Sequence, residues 1–170
     1  MMAALFLVTA AAPVTPSWMR IDAAKHEVKL DIIAGFNPND GALNFNGYFD
    51  GDMTVVVPTG WTVEIAFKNQ DAMLPHSLLV TRAYEPSAIP QQAGVDAVAV
   101  PRAYSDKPEE GIPSPGTDKL RFVVKEAGDF YFLCGAPGHA QGGMWTKFKV
   151  DAGASAPYVI VEDGAALGRQ

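Results

Sequence analysis

Phe130-Tyr131-Phe132-Leu133-Cys134-Gly135-Ala136-Pro137-Gly138-His139-Ala140-Gln141-Gly142-Gly143-Met144-Trp145 is the stretch on which the reading of this chain turns. Its first part is aromatic and apolar, without a break, and reads as a buried strand over Asp129 to Cys134. Glycine and proline then crowd residues 135–143 and permit tight turns. A second strand pattern resumes over Trp145 to Val150. The stretch is therefore strand, constrained loop, strand. The loop holds the single cysteine of the chain, one of three histidines and a methionine, with four residues between successive members.

Outward from this loop the same pattern recurs. His26 to Ile33 alternates, with His26, Val28, Leu30 and Ile32 on one face and Glu27, Lys29 and Asp31 on the other. Met53 to Val57 is a β-branched run closed by Pro58-Thr59-Gly60. Trp61 to Lys68 alternates again through Trp61, Val63, Ile65 and Phe67. Ser77 to Thr81, Lys119 to Lys125 (Leu120, Phe122 and Val124 inward) and Tyr158 to Val161 complete the set. Turn chemistry separates these runs at Asn37-Pro38-Asn39-Asp40-Gly41, Asn46-Gly47 and Ala127-Gly128-Asp129. No long segment of period 3.6 and no internal repeat is present. Many short strands with frequent turns predict an all-β sandwich or barrel. Ala83 to Thr117, with six prolines, breaks the spacing. It predicts a long functional loop or local excursion between the first and second ligand segments, with a short helix or strand at Ala93 to Val100.

The bulk properties agree. A chain of 170 residues defaults to one domain. At 48% hydrophobic and 19% charged residues it reads as globular rather than disordered. A net charge of −6 excludes a basic nucleic-acid footprint. It favours, weakly, a basic partner and salt-dependent association. One cysteine excludes an internal disulfide and a two-cysteine dinuclear copper site built by this chain alone. Met1 to Ala12 resembles the apolar core of an export signal ending in small residues, without the usual basic flank. The competing reading is an ordinary first strand or tail. The run is too short to span a membrane, which takes about 20 apolar residues. The expected organisation is a signal-like or mobile segment over 1–20, a single domain over 21–161 and a C-terminal tail over 162–170.

The donors carry the chemistry. A thiolate, an imidazole and a thioether on one loop make a soft set that needs a second imidazole, which Pro75-His76-Ser77 offers. Two histidines and a cysteine with a weak axial methionine form the blue-copper electron-transfer pattern. His76, Cys134, His139 and Met144 are the expected ligands of one copper ion. Singly, each has an ordinary explanation: a buried small side chain, a loop histidine, a strand-end histidine, core packing. Together, in the order His…Cys-x₄-His-x₄-Met, they specify a site. Structural zinc would want four good donors, and thioether is a poor fourth. A Cys–His nucleophile pair lacks an evident orienting residue and leaves His76 and Met144 as coincidences. Apolar Met73, Leu74, Pro137 and Trp145 are expected to exclude water around the site. His26 is spare and reads as structural or exposed.

At these residues the chain resembles the cupredoxins, the small blue copper proteins. Cys-x₄-His-x₄-Met is the loop length of their rusticyanin and sulfocyanin branch, longer than that of plastocyanin or amicyanin. Cys134-Gly135-Ala136-Pro137-Gly138-His139 with Gly143-Met144-Trp145 is similar to sulfocyanin. Leu43-Asn44-Phe45-Asn46-Gly47 is similar to that family's Phe-Asn-Phe-Asn-Gly signature, with Leu43 in place of the first Phe. The resemblance covers roughly Lys25 to Val150. It implies a Greek-key β-sandwich of about eight strands, one type 1 copper held by His76, Cys134, His139 and Met144, and no catalysis. Ser77 occupies the position that is also serine in rusticyanin and is the implied link between the two ligand segments. Pro137 and Trp145 stand beside it as neighbours of the ligands.

The reading as a whole is a monomer that shuttles single electrons between respiratory partners such as a cytochrome c or a terminal oxidase. The exposed edge of His139, near Pro137 and Ala140, is the expected electron port. The setting is extracytoplasmic, periplasmic or on the outer face of the membrane. Membrane attachment is open, since sulfocyanins typically carry an N-terminal anchor. The alternative is a copper carrier or chaperone, which would need exposed, exchangeable ligands. A detached domain of a multicopper enzyme would need more histidines than His26 supplies.

Overall fold

A computed structural model describes residues 12–162. The signal-like run before residue 12 and the tail after residue 162 lie outside them. Nine strands are described: β1 (Met19–Asp22), β2 (Glu27–Ala34), β3 (Met53–Pro58), β4 (Thr62–Asn69), β5 (Leu79–Arg82), β6 (Gly116–Val123), β7 (Gly128–Leu133), β8 (Trp145–Asp151) and β9 (Tyr158–Val161). They form two mixed sheets, ordered β1-β2-β4-β6 and β5-β7-β8-β3-β9. The chain passes from one sheet to the other at every step from β2 to β7. Sequential strands therefore face each other across a β-sandwich.

Alternation places the core. In β2, Val28, Leu30, Ile32 and Ala34 are fully buried while the intervening residues are half-buried. β4 pairs with β2 in parallel and presents Val63, Ile65 and Phe67 to the same interior. Across from them, Phe130 and Phe132 of β7 meet Phe148 of β8, with Phe132 stacked on Phe148 at 4.6 Å between ring centroids. Burying each such side chain contributes about 1.5–3 kcal/mol. His26 closes the turn before β2 in the left-handed conformation, is exposed, and stacks on Trp61 at 5.4 Å.

Strand β1 was not among the sequence-predicted elements. It pairs antiparallel with β2, and Arg20 and Asp31 form an exposed ion pair across them. Only Met19 of its four residues is buried, so hydrophobic pattern gives it little signal.

The proline-rich segment between β5 and β6 is not a free loop. It contains two short 3₁₀ turns, Pro86–Ala88 and Val95–Ala97, and otherwise runs along the edge strand β5. Bridges link His76 to Ile112, Leu79 to Tyr104 and Thr81 to Val98. This covers an otherwise unpaired strand edge. On the outer face of the sheet, Ile89, Ala93, Ala97 and Val98 close over Leu79, Tyr131, Leu133 and Trp145 as a second, smaller apolar cluster.

Candidate metal centre

Three adjacent strands aim three donors into the sandwich. Leu78 just before β5 and Val80 within it, Phe130 and Phe132 in β7, and Phe148 and Val150 in β8 share one parity and face the main core. Continuing those parities past the strand ends gives His76, Cys134 and Met144. Because Leu79 pairs with Leu133 and Leu133 with Trp145, these positions lie side by side at one end of the sheet. The Cys134 amide donates to the Met144 carbonyl at 3.1 Å, and the Met144 amide to the His139 carbonyl at 2.9 Å. The loop thus folds His139 back over the strand ends.

The donor atoms converge. Cys134 Sγ lies 3.5 Å from His139 Nδ1 and 4.0 Å from His76 Nδ1, and the two Nδ1 atoms are 3.2 Å apart. One first-row ion at roughly 2.0–2.3 Å from each nitrogen and sulfur would space trigonal donors by roughly 3.5–3.8 Å. The three observed spacings, 3.2, 3.5 and 4.0 Å, bracket that range. His76, Cys134 and Met144 are fully buried, and His139 is half-buried at the surface.

Electrostatics set the resting state of these groups. Burial pushes the Cys134 thiol up, against the amides of Ser77 and Ala136, which favour the thiolate. Burial also depresses His76, with Asp71 pulling the other way. His139 is lowered by burial and by the neighbouring His76. Neutral imidazoles and a thiol that ionises only with help are the groups a soft cation recruits.

Ser77 ties the two ligand segments together. Its amide donates to Cys134 Sγ at 3.3 Å. Its hydroxyl donates to the Pro108 carbonyl at 2.6 Å and accepts from the Gly135 amide at 2.9 Å. Pro137 is exposed beside His139. Trp145 has the opposite parity to Met144, so its ring joins the outer cluster, stacked on Tyr131 at 4.5 Å. Met73 is 86% exposed, while Leu74 is half-buried.

Two residues that sequence reasoning missed complete the surroundings. Asp71 Oδ2 lies 2.9 Å from His76 Nε2, while Oδ1 accepts from the Met73 and Leu74 amides. Asn69 accepts from the Asp71 amide and donates to the carbonyls of Leu74 and Ile112, fixing the turn that carries His76. The spacing Asn-x-Asp ahead of Pro75-His76 is a turn signal that could have pointed to both.

The Sulfocyanin (SoxE) domain family matches residues 16–161. The chain belongs to the sulfocyanin family. A sulfocyanin from Sulfolobus acidocaldarius is 28% identical over 138 residues, which are 79% of this chain and 69% of that protein. A rusticyanin from Acidithiobacillus ferrooxidans is 31% identical over 125 residues, 74% of this chain and 62% of that one. The chain thus spans less than two thirds of the rusticyanin's length. Among solved structures, auracyanin A, a "blue" copper protein from Chloroflexus aurantiacus, aligns with a TM-score of 0.51 at 22% identity, over 74% of this chain and 99% of that one. That likeness is one of fold. For a sulfocyanin-family cupredoxin, the convergence of His76, Cys134 and His139, with Met144 buried next to them in the ligand loop, is the arrangement of a type 1 copper site.

The sulfocyanin signature also has a structural role here. Asn44 accepts from the Phe36 and Gly47 amides and donates to the carbonyls of Asn37 and Asn39. Asn46 accepts from the Ile33 amide and donates to the Asp31 carbonyl. Phe45 between them is fully buried. The motif clamps the end of β2, and the adjoining Leu43 packs against Gly142 of the ligand loop.

Proposed function

We propose that this chain is an electron carrier in which His76, Cys134, His139 and Met144 would hold one copper ion. Bound copper supplies a one-electron couple, Cu(I)/Cu(II). The protein's part is to fix the donors and keep them dry. The observation that carries this reading is the convergence of Sγ and two Nδ1 atoms from two chain segments, each donor held by its own hydrogen bonds. Cys134 is held by the Ser77 amide, His76 by Asp71, and His139 by the loop bonds to Met144 and Ala136. Donors fixed this firmly change little between oxidation states, which suits rapid electron exchange.

Burial argues for carrier rather than enzyme or metal chaperone. Three of the four ligands have no exposed surface, so the centre has neither a substrate opening nor exchangeable donors. His139 alone reaches the surface, beside exposed Pro137, and its edge serves as the electron port. Met73 and Phe36 add exposed apolar area, the kind of surface that weak redox encounters use. The partners are redox proteins, a cytochrome c or terminal oxidase class among them. The working unit is a monomer, acting outside the cytoplasm. Among the described residues, no helix is long and apolar enough to cross a membrane.

Voltammetry of the copper-loaded protein together with a metal-transfer assay tests the assignment. Reversible one-electron behaviour with slow copper loss supports the carrier. Rapid copper transfer to a metal-free acceptor protein would favour the chaperone instead.

A further inference from the structure

We infer that Asp71 is a positioning residue that selects which nitrogen of His76 faces the metal and, by its charge, biases the centre toward its oxidised state. This rests on the copper reading above. Asp71 is 6% exposed, and its side chain is fully committed. Oδ1 accepts from the Met73 amide at 2.8 Å and the Leu74 amide at 3.1 Å, leaving Oδ2 for His76 Nε2 at 2.9 Å.

A carboxylate only accepts hydrogen bonds, so the proton of a neutral His76 sits on Nε2. The lone pair is then on Nδ1, the nitrogen that faces Cys134 Sγ and His139 Nδ1. One hydrogen bond thus presets the ligand atom before any ion arrives.

The charge matters separately. The hydrogen-bond partners of Asp71 are two amides and an imidazole, with no lysine or arginine among them. Its negative charge therefore falls on the metal side of the site. A carboxylate behind a ligating histidine makes the imidazole a stronger donor. A buried negative charge also favours the more positive ion, Cu(II), over Cu(I), because low-dielectric surroundings screen it poorly. An asparagine of the same size removes that bias, and its single acceptor oxygen can serve either His76 Nε2 or the two amides, not both.

Asp71→Asn removes the charge and keeps the side-chain volume. In the copper-loaded variant the visible band should persist while the midpoint potential moves positive. Cu(II) affinity should fall roughly 10- to 100-fold, and Cu(I) affinity by less. An unchanged potential and an unchanged Cu(II)-to-Cu(I) affinity ratio would overturn the proposal. Should the variant fail to fold, histidine ¹⁵N spectra of the metal-free parent decide. Protonation of His76 at Nε2 supports the proposal, and protonation of His76 at Nδ1 overturns it. Failure of the copper reading looks different: the parent itself would show no intense visible band.

Discussion

Ser77 donates its backbone N–H to Cys134 Sγ across 3.3 Å, joining segments 57 positions apart in the chain. The amide contact needs no particular side chain. The hydroxyl does a second job, bridging the Gly135 amide and the Pro108 carbonyl. The hydroxyl oxygen also lies 3.7 Å from Cys134 Sγ, so Ser77→Ala should lower stability and shift the copper band. A buried backbone group stripped of its partner costs about 1–3 kcal/mol. Denaturant unfolding of parent and variant reads the difference, and equal midpoints would show that the hydroxyl bridge is not stabilising.

Gly135 follows the cysteine where the proline-rich segment comes closest. A Cβ there would lie 2.6 Å from the Pro108 carbonyl oxygen and nearer still to that of Ala93. Both oxygens are backbone and cannot swing away. The Ala93 amide also donates to the Gly135 carbonyl, and the Gly138 amide to the Gln91 carbonyl. Gly135→Ala should force the segment off the ligand loop at a cost of about 1–3 kcal/mol. Faster copper loss should accompany the fall in melting temperature. A variant with parental thermal stability would contradict this packing.

The strands were legible in the sequence through period-two alternation, and the candidate ligands through their donor types and their x₄ spacing. Because Phe130 and Phe132 point inward, Cys134 does too, and the strand on each side obeys the same parity. What was illegible is the contribution of backbone atoms from remote segments. The Pro-rich stretch reads as an excursion because its prolines and polar residues carry no periodicity. Its grip on the site comes from the carbonyls of Gln91, Pro108 and Ile112, which no side-chain pattern reports. Trp145 was expected to shield the centre, yet alternation turns it to the outer cluster once Met144 faces in. Asp71 was passed over because a lone aspartate before Met73-Leu74 looks like any turn residue.

Asn44 tests the structural role of the family signature. Its side chain satisfies the Phe36 and Gly47 amides and the carbonyls of Asn37 and Asn39, and it is fully buried. Asn44→Ala should cost about 2–4 kcal/mol, since several buried groups lose their partner together. The wavelength of the copper band should hardly move, because Asn44 is bonded to no ligand. A large spectral change without loss of stability would show the motif acting on the metal instead.

The metal-free protein should lose stability on acidification. His76 and His139 are held below the ordinary imidazole value of 6.5, so folding disfavours their protonation. Their neutral forms contribute fully above that value, and the contribution is lost as pH falls below it through the folded-state values. Asp71 is held below the ordinary 3.8 despite its burial, which adds a further loss in stronger acid. Cys134 is raised above 9.0, so stability also declines as pH rises past that value. Urea midpoints of the metal-free chain against pH should rise from acid to neutrality and fall again in alkali. A flat profile across pH 5–7 would contradict the burial of the two imidazoles.

Titration of the metal-free protein with Cu(II), followed by visible absorption, tests the central claim most directly. An intense thiolate-to-copper band should grow to an end point at one copper per chain, and Cys134→Ser should abolish it. A colourless Cu(II) complex of the intact protein would contradict the assignment.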